Sequence, residues 1–428
     1  MLIPSPNTGS GELNSALKQQ DSGTKRRFPG KRLVLLLTLS VLSLPAGPVR
    51  AEVLGDLLTP FASLTEVYDS NVFRVKDQAH LEALVGDSRL SDFITVASVG
   101  TGVNYQVSRQ QLALQLQKDF IRLAHYTSQD TDRDQANGTL QCTITDRVNL
   151  TLDESYLKAP QPRIDFRSAG LNVMTTLDGG LKVGYQSPSG VGLEAGYRRS
   201  SVDYSLAQYA SNEYSADRYT GTVSCQLSPE ARLYAAYRHD ETAYGAGLRV
   251  GSALVDNNSS ADSARLGLDK TIGQKTTFSG YVGYLNRRHQ AASARNFSGV
   301  IGSVSLNHAL TGKLGLTLNW ERQLYEETYA DRIYSVNDSV GAGVIYGFSE
   351  KVKGNLTGRL LWKDFGDIPN SGVASRTDFS KEVNVGLEWI PLARLSVKLG
   401  YQYSARSSDD SNFVFADHAV TSSIGYHF

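Results

Sequence analysis

Methionine, tryptophan and cysteine are scarce in this 428-residue chain, at 2, 3 and 2 residues. Two cysteines cannot supply the disulfide framework of a small secreted scaffold. Net charge is absent as well. Forty-three Lys and Arg match 43 Asp and Glu, so the overall balance points neither to nucleic acid nor to an acidic partner. Long apolar runs are also missing. The stretch Leu33–Leu44 has 12 residues, and no other run reaches the 18 that a membrane-spanning helix needs. What the chain has instead is 39 Gly and 22 Tyr, a composition that suits many strands better than a helical core.

The 12-residue run has its own explanation. Lys25, Arg26, Arg27, Lys31 and Arg32 precede it, and Val49-Arg50-Ala51 follows it as a small-residue cleavage pattern. That is the layout of a secretory signal peptide cut after Ala51. As a helix the run would extend about 18 Å, short of the roughly 30 Å hydrocarbon core. Residues 1–24 read as an extended leader or as an upstream start. Residues 1–51 are therefore expected to be leader and signal, and 52–428 a single exported domain. The first 51 residues hold seven Lys and Arg and two Asp and Glu, so the remainder carries 36 basic against 41 acidic groups.

From residue 60 onward, runs of about 12 to 16 alternating residues are joined by tight turns and long polar loops in strict succession. The eight tight turns fall at 108–110, 145–147, 187–190, 228–231, 273–275, 310–313, 348–351 and 391–393. Nine longer segments separate them: 69–92, 125–135, 159–167, 206–212, 245–258, 290–295, 329–334, 366–375 and 407–411. The count predicts 18 strands; a merge or split near 171–186 would change it to 16 or 20. Parity is clear within the runs. Leu314, Leu316, Leu318 and Trp320 share one face, while Gly315, Thr317, Asn319 and Glu321 share the other. A soluble β-sandwich also alternates, but its strands average about 5 or 6 residues. The expected fold is an all-β, transmembrane, antiparallel up-and-down barrel of the outer-membrane type, with short periplasmic turns and long extracellular loops.

Such a barrel must pair its last strand with its first, because lipid leaves no other partner for an edge. The first strand is expected at 59–67. The chain closes on "VTSSIGYHF", with Val420, Ile424, Tyr426 and Phe428 outward and Thr421, Ser423 and His427 inward. Cys142 and Cys225 fall on the apolar parity of the fourth and eighth strands, roughly 19 Å apart at about 4.8 Å per strand. A disulfide tolerates only about 7 Å between Cα atoms, so both thiols are expected free and lipid-facing.

No catalytic set emerges. The seven histidines lack ligand spacing, and no metal or cofactor is expected. His239 beside Asp240, and Asp409 beside Asp410, read as a solvated charged rim; no nucleophile elbow or phosphate loop is present. An enzyme is not expected. The inner parity carries both signs of charge: Lys353, Arg359, Lys363, Lys398, Arg406, Arg232, Arg238, Arg198 and Arg265 with Glu321, Glu388, Glu382, Glu194, Asp153 and Asp269. Tyr234 and Tyr281 share it. Mixed charges around a lumen suit hydrated polar solutes rather than lipids.

One stretch, "PFASLTEVYDSNVFRV" at 60–75, is more specific. Its Tyr68, Asp69, Asn71, Val72, Phe73 and Arg74 resemble the opening of the β-barrel porins of Gram-negative bacteria, particularly the EpsL-type barrels associated with exopolysaccharide biosynthesis. The Phe terminus resembles the carboxy-terminal signal of outer-membrane barrels; Tyr426 and Phe428 would be read by the barrel assembly machinery. The resemblance implies a role in exopolysaccharide export, with the glycan and periplasmic export proteins as partners and no catalytic residues. A general diffusion porin and a non-conducting structural barrel are the alternatives. In elementary terms, Asp69 and Asn71 suit an Asx-type turn where the first strand leaves the wall, with Phe73 beneath it and Arg74 near Asp69.

Overall fold

The computed structural model describes residues 57–164, 168–250, 253–291, 296–326, 334–366 and 376–428. Eighteen antiparallel strands close on themselves. They begin with β1 (Leu58–Asp69), β2 (Asp92–Val107), β3 (Gln110–Leu123), β4 (Thr131–Thr143), β5 (Val148–Pro160) and β6 (Val173–Gln186). Next come β7 (Val191–Tyr204), β8 (Tyr214–Ser228) and β9 (Ala231–Tyr244). A two-stranded hairpin, β10 (Leu248–Val250) with β11 (Ala253–Val255), stands apart from the wall. The wall resumes with β12 (Ser259–Ile272), β13 (Thr276–His289), β14 (Phe297–Ala309), β15 (Leu314–Glu326) and β16 (Tyr334–Gly347). It ends with β17 (Val352–Phe365), β18 (Thr377–Leu392), β19 (Leu395–Ser408) and β20 (Phe415–His427). The 171–186 region is a single strand, so the count of 18 stands.

Each strand pairs with its neighbours in sequence, and β1 pairs with both β2 and β20. The seam runs from Phe61 opposite His427 to Asp69 opposite Ala419. Across it the Thr65 and Ser423 hydroxyls share a 2.8 Å hydrogen bond, and the Phe428 N–H donates to the Pro60 carbonyl at 2.9 Å. The final residue thus lies within the sheet's hydrogen-bond ladder, which is why the alternation persists to the carboxylate. At the tight turns Gly190 (φ 83°) and Gly273 (φ 60°) supply the left-handed backbone that a hairpin reversal requires.

Period-two alternation separates two surfaces. Leu64, Val99, Leu116, Val223, Leu266, Val282, Leu318, Val385, Leu399 and Ile424 are all exposed on the outside. Outward aromatics gather near the short turns, among them Tyr105, Tyr185, Tyr346, Trp389, Tyr426 and Phe428, and again toward the long loops, as with Phe93, Tyr219 and Trp362. An apolar band between aromatic girdles is the signature of a barrel wall in lipid. Above the band, outward ion pairs such as Lys118–Asp134 (2.9 Å), Arg199–Asp217 (3.3 Å) and Arg322–Asp338 form a polar collar. Cys142 and Cys225 are free; Cys225 is exposed on the outer face and Cys142 half-buried. Among the described residues no helix is long and apolar enough to cross a membrane.

Candidate functional site

The inner wall is polar, and the long segment after β1 folds onto it. That segment carries a short helix, α1 (Gln78–Val85), started by the Asp77 carboxylate on the His80 N–H (3.0 Å) and ended by Gly86 with φ 75°. Its apolar residues Val72, Phe73, Val75 and Leu81 are buried against Leu123, Tyr126, Ile94 and Ile121. Ile94, Ile121 and Leu123 lie on the inner parity of β2 and β3. The segment is therefore packed inside the barrel mouth rather than standing above it. Burial drives the arrangement, because apolar side chains on a polar inner face gain from a cover. Asp92 secures the base, accepting the N–H groups of His125 (3.0 Å) and Tyr126 (2.9 Å).

The residues of the opening motif divide by face. Tyr68 points outward, its ring 5.2 Å from Phe93. Asp69, Asn71, Phe73 and Arg74 converge inside. The Asp69 carboxylate accepts the Asn71 N–H at 2.8 Å, an Asx turn, and takes both amino groups of Arg74 at 2.8 and 2.9 Å. Asn71 spans the bend, donating to the carbonyls of Val75 (2.7 Å) and Ala416 (3.0 Å) while its Oδ1 accepts the Val75 N–H. Asp417 on β20 completes the cluster. It is fully buried, accepts from Ser70 Oγ and the Asn71 N–H at 3.1 Å, and lies 3.1 Å from the Arg74 guanidinium. These contacts hold Arg74 at φ 54°, a conformation a long side chain rarely adopts. Asp417 escaped the sequence reading, although its inner parity on the last strand places it beside the seam.

A second stretch, residues 161–164 after β5, reaches into the mouth. Arg163 lies over the Phe73 ring at 4.1 Å and donates to Gln129 Oε1. Burial, then the neighbouring Arg74 charge, lowers its pKa to about 10. The Ile164 carbonyl accepts a hydrogen bond from Arg406 on β19, on another part of the wall. Arg406 also donates to the Phe413 carbonyl at 2.7 Å and lies 3.7 Å from Asp378. It points inward as its parity requires, but it is only 2 % exposed and anchors that stretch instead of lining open space. Beside it Arg376 pairs with Asp378 and lies 3.4 Å from the Phe413 ring centroid. No local sequence signal marks Arg163, which acts through this stretch, or Arg376, which lies against the Phe365 and Phe413 rings.

The other lumen candidates stay apart. Lys398 and Glu388 pair at 3.3 Å on β19 and β18. Lys353 and Arg359 project from the inner parity of β17 and are exposed, whereas Lys363 is half-buried with its ammonium 5.9 Å from the Phe365 ring. Glu321 shares that inner face on β15. Tyr426 and Phe428 face outward with ring centroids 5.1 Å apart. Ala51 lies outside the described residues. His239 and Asp240 face opposite sides of the wall. His239 bonds outward to Asp262 at 2.8 Å, and Asp240 inward to Arg218 at 2.7 Å. They form no dyad. Among the described residues no group of His, Cys, Asp or Glu is placed to hold a metal.

Several solved structures are similar to the chain at low identity. OccK2 (OpdF) of Pseudomonas aeruginosa is 12% identical over 87% of this chain and 98% of its own, with a TM-score of 0.49. A BenF-like porin from Pseudomonas fluorescens is 10% identical over 87% and 99%, also at 0.49. OccAB3 of Acinetobacter baumannii is 12% identical over 87% and 99%, at 0.46. No curated protein matches the chain. A family model does match, over residues 54–427, from the first strand to the last inner-facing histidine. The closed 18-strand wall is accordingly a porin-type barrel, a fold that implies the outer membrane, and the chain belongs to the family described as "Putative beta-barrel porin 2".

Proposed function

We propose that the protein is a diffusion channel of the outer membrane for small polar solutes. The observation that carries this is the polar, mixed-charge inner wall of an 18-strand barrel whose mouth is narrowed by two inward segments. Barrels of 16 to 18 strands leave an aqueous channel, and charged walls conduct hydrated solutes. The likeness of residues 68–74 to EpsL-type barrels suggests a part in exopolysaccharide export. The geometry favours the channel reading instead. The motif is consumed in a structural lock, and segments packed into the mouth obstruct a polymer more than a small molecule. Export through the signal peptide ending at Ala51, and recognition of Tyr426 and Phe428 by the assembly machinery, belong to the same proposal. The test is conductance of purified protein in planar bilayers together with liposome swelling in small sugars and amino acids. Stepwise insertion of open channels is expected; an electrically silent barrel that gives no swelling rejects the reading.

A further inference from the structure

Four arginines stand on neighbouring strands of the inner wall: Arg198 on β7, Arg218 on β8, Arg238 on β9 and Arg265 on β12. Arg198 is directly opposite Arg218, and Arg238 is directly opposite Ser263. Their carboxylate partners are unevenly shared. Arg198 meets both Asp153 and Asp178. Asp240 alone serves Arg218 (2.7 Å) and Arg238 (2.5 Å). Among the described residues Arg265 has no carboxylate within ion-pair distance. Its guanidinium lies 4.9 Å from the Tyr281 ring centroid, and its Nε is enclosed without a hydrogen-bond partner. Two residues away on the same face, Ser263 is 2 % exposed and its Oγ also has no partner.

Space has been left for this arrangement. Arg265 is flanked in register by Ala236 and Gly283. A Cβ at Gly283 would come within 2.9 Å of Arg265 Cγ and 2.6 Å of the Ala264 carbonyl, so only glycine leaves a notch for the arginine stem. Buried polar groups are normally satisfied, whereas Arg265 Nε and Ser263 Oγ, two residues apart on the inner parity of one strand, both lack a partner. Two guanidinium groups sharing one carboxylate, beside a third that has none, leave that stretch of wall positive. An arginine fork with a neighbouring hydroxyl matches the geometry of an oxyanion.

We propose that Arg265, with Ser263 and Arg238, binds the oxyanion of a small solute, a carboxylate or a phosphate; the proposal rests on the channel reading only for access from solution. The experiment is titration calorimetry of the detergent-solubilised barrel with succinate and, separately, inorganic phosphate. It compares wild type, Arg265→Gln, Arg265→Lys and the outward-facing Arg322→Gln, with folding checked by heat-modifiable gel mobility. Wild type and Arg322→Gln are expected to bind at least one anion equally. Arg265→Gln should bind it about tenfold or more weakly, the size of one lost charge-assisted hydrogen bond, with Arg265→Lys between them. Which of the two anions binds identifies the solute chemistry. Equal binding by wild type and Arg265→Gln, or binding of neither anion, overturns the proposal. A barrel that conducts in bilayers but binds neither anion keeps the channel and loses the site; one that binds but stays silent keeps the site and loses the channel.

Discussion

Arg74, five residues past the first strand's Asp69, lies 3.1 Å from Asp417 on the last strand. One guanidinium thus binds a carboxylate from each side of the seam that closes the barrel. Removing it leaves two buried carboxylates facing one another. Arg74→Ala is expected to destabilise the barrel by about 3 kcal/mol, the usual cost of breaking a buried pair. Pairing it with Asp417→Asn should restore part of that loss, because the double variant no longer strands a charge. The midpoint of thermal unfolding in detergent, read by heat-modifiable mobility, checks both. Additive losses in the double variant would show that Arg74 and Asp417 are not coupled.

The 161–164 stretch makes a different prediction. Ile164 is held to β19 by Arg406, and Arg163 is stacked on Phe73. Arg406→Ala also removes the hydrogen bond to Phe413 and the contact with Asp378, so it should both lower stability and free the segment. Arg163→Ala touches no wall strand and isolates the second effect. If the lumen conducts, single-channel conductance should rise in Arg163→Ala, with larger fluctuations than in wild type. Unchanged conductance would place the narrowest point elsewhere.

The wall was legible in the sequence because its determinants are local. Period-two alternation, eight short turns and the requirement that lipid leave no open edge point to 18 strands, their facing and the pairing of the last strand with the first, while the register that sets Phe61 opposite His427 comes from the structure. The mouth was not legible to the same degree. Val72, Phe73, Val75 and Leu81 sit in a loop that reads as polar overall, and their cover on β2 and β3 is set by tertiary folding. Arg406 shows the limit plainly: parity gave its direction, while its burial depends on Ile164, 242 residues away in sequence. The contacts of Arg163 with Phe73 and Gln129, and of Arg376 with Phe413, depend in the same way on tertiary folding.

The inward segment should respond to acid. The hydrogen bond from His80 holds the Asp77 carboxyl below its usual range, and the Arg89 N–H followed by His125 does the same for Asp87. A depressed folded pKa means the contribution is present above the unfolded value of 3.8 and is lost as pH falls below it. Hydrogen-exchange protection across residues 77–90 is therefore expected to hold from neutral pH down to about 4 and to weaken below it. The Asp77→Asn and Asp87→Asn double variant should show a flat profile there. A variant that still loses protection below that pH would assign the transition to other carboxylates.

The last residue separates assembly from stability. Phe428 contributes its N–H to Pro60 and its ring to an outward contact with Tyr426, and only the N–H closes the sheet. Phe428→Ala keeps the backbone bond, so urea-refolded protein should reach nearly wild-type stability in detergent. In cells the same variant should accumulate severalfold less folded barrel in the outer-membrane fraction, if the aromatic side chain is what the assembly machinery reads. Deleting Phe428 removes the Pro60 bond as well and should weaken both readouts. Equal membrane yields for wild type and Phe428→Ala would mean that the terminal ring serves the lipid interface alone, where an aromatic at the girdle gains its energy from position rather than recognition.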